Sequence, residues 1–251
     1  MMIKNLNYCQ KRKIVMATSV TLLLLITIIA CILLIFLLYG EALFSSKNTQ
    51  LKKAEEYAAI ANQTKKEGVV FVGDSIMELY NLPKYFKDKD YINRGISGNK
   101  SEDVLNRLQT NVIDLKPKTV LVHVGTNDIG HAIPVETYLS NMDKIIETLQ
   151  TNLPNCTIIV NSIFPTVTLD NYNSKNLTKK RDNFTIMDIN SKLRNLCNTK
   201  KVIYLDIHKS LLLNDKLNKT YTLDGLHLSD VGYKIVTREI SYCFENFLKR
   251  N

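Results

Sequence analysis

Histidine is scarce in this chain: four residues in 251, at His123, His131, His208 and His227. Any chemistry that needs an imidazole base must draw on those four. Cysteine is nearly as rare, and the five present (Cys9, Cys31, Cys156, Cys197 and Cys243) lack the spacing of a structural zinc site. Two of them belong to an apolar N-terminal region. The remaining three are an odd number, so at most one disulfide can form, and buried free thiols are the simpler reading. No internal repeat is visible, which excludes solenoids and propellers. Acidic residues are outnumbered, 24 against 33 basic, for a net charge of +9. Part of that excess sits near the N-terminus. The densest later cluster, Lys179-Lys180-Arg181 with Lys175 nearby, falls in a polar stretch and reads as a solvated loop. Nothing resembles the basic stripe of a nucleic-acid-binding surface.

Charge is missing altogether from Ile14 to Tyr39, 26 residues of mostly Leu, Ile, Val, Ala and Thr. As a helix this run spans roughly 39 Å, enough to cross a hydrocarbon core of about 30 Å with some tilt. It exceeds the apolar region of a cleaved signal peptide. Two processing alternatives stay open, a small-residue site at Gly40-Glu41-Ala42 and a lipoprotein-like box at Ile28-Ile29-Ala30-Cys31. Lys4, Lys11, Arg12 and Lys13 precede the run and Glu41 is the first charge after it. The expected organisation is a cytoplasmic basic tail (1–13), a single-pass membrane anchor (14–39), a linker with a connecting helix (40–67), and a domain over 68–251 outside the cytoplasm.

Past the anchor, Thr49 to Lys66 lacks Gly and Pro and reads as that connecting helix. Short apolar runs then recur at Val69–Val72, Tyr91–Asn93, Thr119–Val124, Thr157–Val160 and Val202–Leu205. They are rich in β-branched residues and do not alternate with polar ones, as suits strands buried on both faces of a parallel sheet. Helical patterns separate them at Ser101–Leu115, Val135–Leu149, Asn183–Asn198 and Ser229–Lys249, while Thr166–Asp182 reads as a surface loop. The alternation predicts βαβ units and a three-layer α/β/α sandwich.

Chemistry-bearing residues gather where strands end, the usual address of a ligand in an open parallel sheet. The first strand runs into Gly73-Asp74-Ser75-Ile76, the second into Asn93-Arg94-Gly95-Ile96-Ser97-Gly98, the third into Gly125-Thr126-Asn127-Asp128. Each alone is also an ordinary turn or cap. Near the C-terminus, Asp224-Gly225-Leu226-His227 offers a base and a carboxylate to hold its tautomer from one short loop, which hydrolysis by a serine requires. Among the other histidines, His123 lies inside a strand. His131 has no carboxylate at a suitable spacing, and an Asp206–His208 pair is a weaker candidate.

These four blocks, in this order, resemble those of the SGNH (GDSL-type) hydrolase superfamily, and within it the branch similar to platelet-activating-factor acetylhydrolase subunits. The resemblance covers about residues 68–248, with Ile76 where the eponymous block has Leu. It implies a flavodoxin-like five-stranded parallel sheet and an esterase acting through an acyl-enzyme. Ser75 is then the nucleophile, His227 the base and Asp224 its orienting carboxylate. The oxyanion hole is expected from the backbone N–H groups of Ser75 and Gly95 and the side chain of Asn127. No metal or organic cofactor is implied. Substrates would be short-chain acyl, glycan or lipid esters. An O-acyltransferase for a surface glycan and a non-catalytic binding module are the alternatives.

Overall fold

A computed structural model of the chain describes residues 8–61 and 67–247. Residues 1–7 of the expected basic tail, 62–66 of the linker and 248–249 of the expected last helix lie outside those residues. By its internal contacts the chain divides into two compact units, Met1–Leu51 and Lys52–Asn251. The second begins earlier than the expected residue 68, because the end of helix α1 (Tyr8–Ile60) packs with it. In the first unit, α1 exposes the Leu, Ile and Phe side chains that are described there, from Leu22 to Phe44, and it is long and apolar enough to cross a membrane.

The β-branched runs form the sheet. Strands β1 (Val69–Gly73), β2 (Tyr91–Gly95), β3 (Thr119–His123), β4 (Thr157–Asn161) and β5 (Ile203–Leu205) are all parallel, in the order β2-β1-β3-β4-β5. Register is continuous across the front end, where Gly73 lies level with Gly95 on one side and His123 on the other. Side chains alternate between two cores, as a strand's period of two demands. Val70, Val72, Val120, Val122, Ile158 and Val160 join one core, and Phe71, Leu121 and Ile159 the other.

Between β1 and β2 lie the short helices α2 (Ser75–Glu78) and α3 (Leu82–Tyr85). Helices α4 (Ser101–Asn106) and α5 (Leu108–Asn111) follow β2, and α6 (Thr126–Gly130) and α7 (Val135–Asn152) follow β3. Then come α8 (Tyr172–Thr178), α9 (Asn183–Lys200) and α10 (Asp230–Phe247). The first core takes its helical side from α4, α5, α6, α7 and α9, and the second from α2, α3 and α10. The result is the expected three-layer sandwich.

Two local expectations change. The single helix read over Ser101–Leu115 is broken at Arg107, whose guanidinium turns inward to Asn99 Oδ1 (2.7 Å) and to the carbonyl of Gly73 (2.9 Å). The stretch read as a surface loop, Thr166–Asp182, contains α8 and buries Thr166, Ser174 and Thr178. Its hydroxyls explain the burial: Ser174 Oγ accepts from Leu169 N, and Thr166 Oγ1 donates to the carbonyl of Arg181. Cys156, Cys197 and Cys243 are free thiols.

Candidate active site

Gly73 ends β1 against the neighbouring strand so closely that a Cβ there would stand 1.9 Å from the His123 carbonyl oxygen. The next residue, Asp74, is extended and caps α2, its Oδ1 accepting from Ile76 N at 2.9 Å. Ser75 therefore opens the helix. Its own N–H is one of the donors a helix N-terminus leaves without an intrahelical acceptor. Asp74 is fully buried, and burial pushes its carboxyl up to about 7 against the opposing Ile76 N–H. Oδ2 has no partner among the described residues.

The facing residues come from a tight hairpin closed by a Thr222–Leu228 bridge. Gly225 turns it at φ +93, and a Cβ at that position would meet the Val167 carbonyl oxygen at 2.0 Å. Thr222 Oγ1 accepts from Gly225 N and donates to the His227 carbonyl, both at 2.8 Å. Asp224 Oδ1 receives the N–H groups of Leu226 (2.9 Å) and His227 (2.7 Å), which leaves Oδ2 to accept from His227 Nδ1 at 2.6 Å. Burial alone would raise the Asp224 carboxyl. The hydrogen bonds from the His227 ring and from these two backbone groups outweigh it and hold Asp224 at about 2. An ionised carboxylate can only accept, so Nδ1 carries the proton and Nε2 presents its lone pair. That nitrogen stands 2.9 Å from Ser75 Oγ, across 152 residues of sequence. Ser75, His227 and Asp224 thus come together in hydrogen-bonded series.

Of the three expected oxyanion donors, Asn127 lies in α6 just after Gly125, which has φ +138. One of its amide hydrogens goes to the carbonyl of Asn99 (3.0 Å), and its Oδ1 accepts from Arg181 Nη2 (3.2 Å). Gly95 is placed differently from expectation. Its N–H is taken by Asn93 Oδ1 at 2.8 Å, and Asn93 is itself fixed through Nδ2 to the carbonyls of Met77 and Tyr80. A Cβ on Gly95 would meet Glu78 N at 2.1 Å, so this glycine lets α2 lie against β2. The block ends at Gly98, in a turn at φ +79, and no hydrogen bond from its N–H occurs among the described residues.

The remaining histidines do other work. His123 is buried against Phe164 with ring centroids 4.2 Å apart, and burial holds it down at about 3. His131 Nδ1 lies 2.8 Å from the Asn127 carbonyl. His208 is buried, Nδ1 bonded to the Ile163 carbonyl, while Asp206 pairs with Arg194 and Lys209. The weaker Asp206–His208 pairing is not formed. Sequence reading passed over Arg181, whose Nε donates to the Thr126 carbonyl at 2.9 Å. It also passed over Asp128, which accepts from Ser101 N (3.0 Å) and Oγ (2.6 Å) and ties α6 to the start of α4. Asp128 had no local signal beyond sitting in a motif block, and Arg181 none beyond a Lys-Lys-Arg cluster that reads as solvated.

Residues 71–235 match the model of the GDSL-like Lipase/Acylhydrolase family. The human platelet-activating factor acetylhydrolase IB subunit alpha1 is 26% identical over 186 residues, 71% of this chain and 76% of that protein. A Streptococcus pneumoniae structure named for platelet-activating factor is similar at a TM-score of 0.73 and 28% identity, covering 77% of this chain and 92% of the other. A GDSL-like lipase from Bacteroides thetaiotaomicron is similar at a TM-score of 0.66 and 28% identity, covering 78% and 97%. With the parallel sheet and the serine at the end of β1, these likenesses make the chain a member of the GDSL-like lipase/acylhydrolase family, within the SGNH hydrolases, and a hydrolase of ester bonds.

Proposed function

We propose that this chain is a membrane-anchored serine esterase that removes short acyl groups, acetyl among them, outside the cytoplasm through an acyl-enzyme on Ser75. The observation that carries the reading is the series Ser75 Oγ, His227 Nε2 (2.9 Å), His227 Nδ1, Asp224 Oδ2 (2.6 Å). In it, Ser75 Oγ attacks the ester carbonyl carbon while its proton passes to His227 Nε2. Asp224 stabilises the imidazolium that forms. His227 then returns the proton to the leaving alkoxide, and water repeats the sequence on the acyl-enzyme. The developing oxyanion is held by the N–H of Ser75, the second amide hydrogen of Asn127 and the N–H of Gly98. Gly98 takes the place first given to Gly95, because the Gly95 N–H is already bonded.

Support for short acyl groups is the similarity to a protein named as an acetylhydrolase, and support for anchoring is the exposed apolar helix α1. An O-acylated glycan or a lipid ester at the outer surface fits both. The test uses the full-length chain in detergent with p-nitrophenyl esters of increasing acyl length. Turnover is expected to be fastest on the shortest acyl groups, with a fluorophosphonate labelling Ser75. A chain that turns over none of them and leaves Ser75 unlabelled is not this esterase. Faster acyl release when a sugar acceptor is added would favour the transferase. Protease added outside wall-stripped cells should reach the domain, and protection there would overturn the topology.

A further inference from the structure

The end of α1 lies before the segment that matches the family model, yet it reaches the site. Lys53, Ala54, Tyr57, Ala58 and Ala61 recur at helical spacing and form its covered face, with Ala61 buried in the first core, while Lys52, Glu55, Glu56, Ala59 and Ile60 are exposed. Three alanines on that face allow close approach. Lys53 and Tyr57 carry the polar contacts.

Each contact leads to the turn after β2. Lys53 Nζ pairs with Glu78 Oε1, and Glu78 Oε2 accepts the N–H of Ser97. Burial would raise the Glu78 carboxyl, but the hydrogen bonds from Lys53 and Ser97 bring it below its usual range. Tyr57 donates its hydroxyl to the Gly95 carbonyl at 3.2 Å, and its ring lies 4.7 Å from the guanidinium carbon of buried Arg94. The Ala54 carbonyl accepts from Asn111 Nδ2 (3.0 Å). Asn111 Oδ1 accepts from Arg107, and Arg107 holds Asn99 Oδ1. Asn99 in turn receives the Asn127 amide. Removing Lys53 frees the Glu78 carboxylate to turn toward water, and Ser97 N then loses its acceptor one residue before Gly98.

We infer that residues 53–61 brace the 95–99 turn, so that Lys53 and Tyr57 are positioning residues for ester hydrolysis, acting through the placement of the oxyanion donors. This rests on the function proposed above. A donor misplaced by a fraction of an ångström weakens the transition state more than the bound substrate, so the brace should act on kcat.

The test compares full-length Lys53→Met, Lys53→Arg, Tyr57→Phe and Ser75→Ala with the wild type on p-nitrophenyl acetate in detergent. Rates are divided by the active sites titrated with a fluorophosphonate, and affinity for phenylboronic acid, which forms a tetrahedral adduct on a serine, is measured alongside. Lys53→Met is expected to lower kcat per site about 10-fold and Tyr57→Phe about 3-fold, with KM within about 2-fold and boronate affinity weakening in parallel. Lys53→Arg should restore at least half the wild-type rate. If Lys53→Met does not fold, Tyr57→Phe, which removes one hydroxyl, decides by the same measurements. Unchanged kcat per site in the folded variants, a change in KM alone, or a Lys53→Arg as poor as Lys53→Met overturns the brace, provided Ser75→Ala is inactive. A Ser75→Ala that keeps the wild-type rate overturns the proposed function and the brace with it.

Discussion

Arg181 holds Asn127: its Nη2 donates to Asn127 Oδ1 at 3.2 Å while Nε is anchored on the Thr126 carbonyl at 2.9 Å. An asparagine amide can flip, and exchanging its O and N would turn an acceptor toward a developing oxyanion. The arginine permits one orientation only, because a guanidinium has donors and no acceptor. Arg181→Met is therefore expected to lower kcat by roughly 10-fold with little change in KM. Arg181→Lys should recover little, since an ammonium cannot bridge both oxygens with the same planar fork. A Cβ on Gly130 would stand 2.3 Å from Arg181 Nη2, so Gly130→Ala should displace the guanidinium and reduce kcat in the same direction. Steady-state kinetics on the three variants checks this, and wild-type kcat in both Arg181→Met and Gly130→Ala would remove Arg181 from the site.

The proposed triad should separate from its surroundings by magnitude. Ser75→Ala and His227→Ala are each expected to reduce kcat by about 10⁴ or more, and the double variant should be little worse, because the two act in one step. Asn127→Ala removes one donor among several and should cost about 10²–10³ in kcat. His208→Ala and Asp206→Ala should leave kcat per folded molecule nearly unchanged. Their side chains are engaged with Ile163, Arg194 and Lys209 and not with Ser75. Equal losses at His208 and His227 would mean that the base has been misassigned.

The fold was legible because buried parallel strands need β-branched runs such as Val69–Val72 and Thr157–Val160, and those survive any reading. The Ser, His and Asp of the site were legible because a strand end and a short Asp-Gly-Leu-His loop are local patterns. What was not legible depends on where a long side chain goes. Arg107 sits at a helical position, yet it breaks the helix to reach Asn99 and the Gly73 carbonyl. Arg181 belongs to a Lys-Lys-Arg cluster that reads as solvated, and only α8 turns it inward. Gly95 and Gly98 share one motif. Which N–H is left over depends on Asn93 folding back onto Gly95, a bond that no spacing reveals.

The packing role of Gly95 has its own test. An alanine keeps the N–H, so Gly95→Ala leaves any donor in place and adds only a Cβ, 2.1 Å from Glu78 N and 2.6 Å from the Met77 carbonyl carbon. Backbone must move to admit it, and such overpacking costs about 1–3 kcal/mol. For a domain of this size that lowers the midpoint of thermal unfolding by about 2–4 °C per kcal/mol. Calorimetry should show the loss, and an unaltered midpoint would mean that α2 does not lie on β2 as closely as described.

Asp74 offers a pH test with the opposite sign to Asp224. Burial holds the Asp74 carboxyl at about 7 in the folded chain, against 3.8 for an ordinary aspartate. Between those values the folded state keeps a proton that the unfolded state has released, so the Asp74 contribution to stability falls as pH rises from about 4 to about 7. Asp224, held at about 2, contributes stability above about pH 4 that disappears as pH falls toward 2. The two windows do not overlap, which lets one substitution isolate one group. Asp74→Asn keeps an oxygen for the Ile76 N–H and cannot ionise. Its unfolding midpoint should gain on that of the wild type as pH rises from 5 to 7, over and above the rise that buried His123, held down at about 3, gives both proteins. The measurement is thermal unfolding of both proteins across that range at constant ionic strength. Parallel curves would mean that Asp74 is already ionised at pH 5 in the folded chain. The orphaned Oδ2 would then need a cationic or hydrogen-bonding partner to account for its burial.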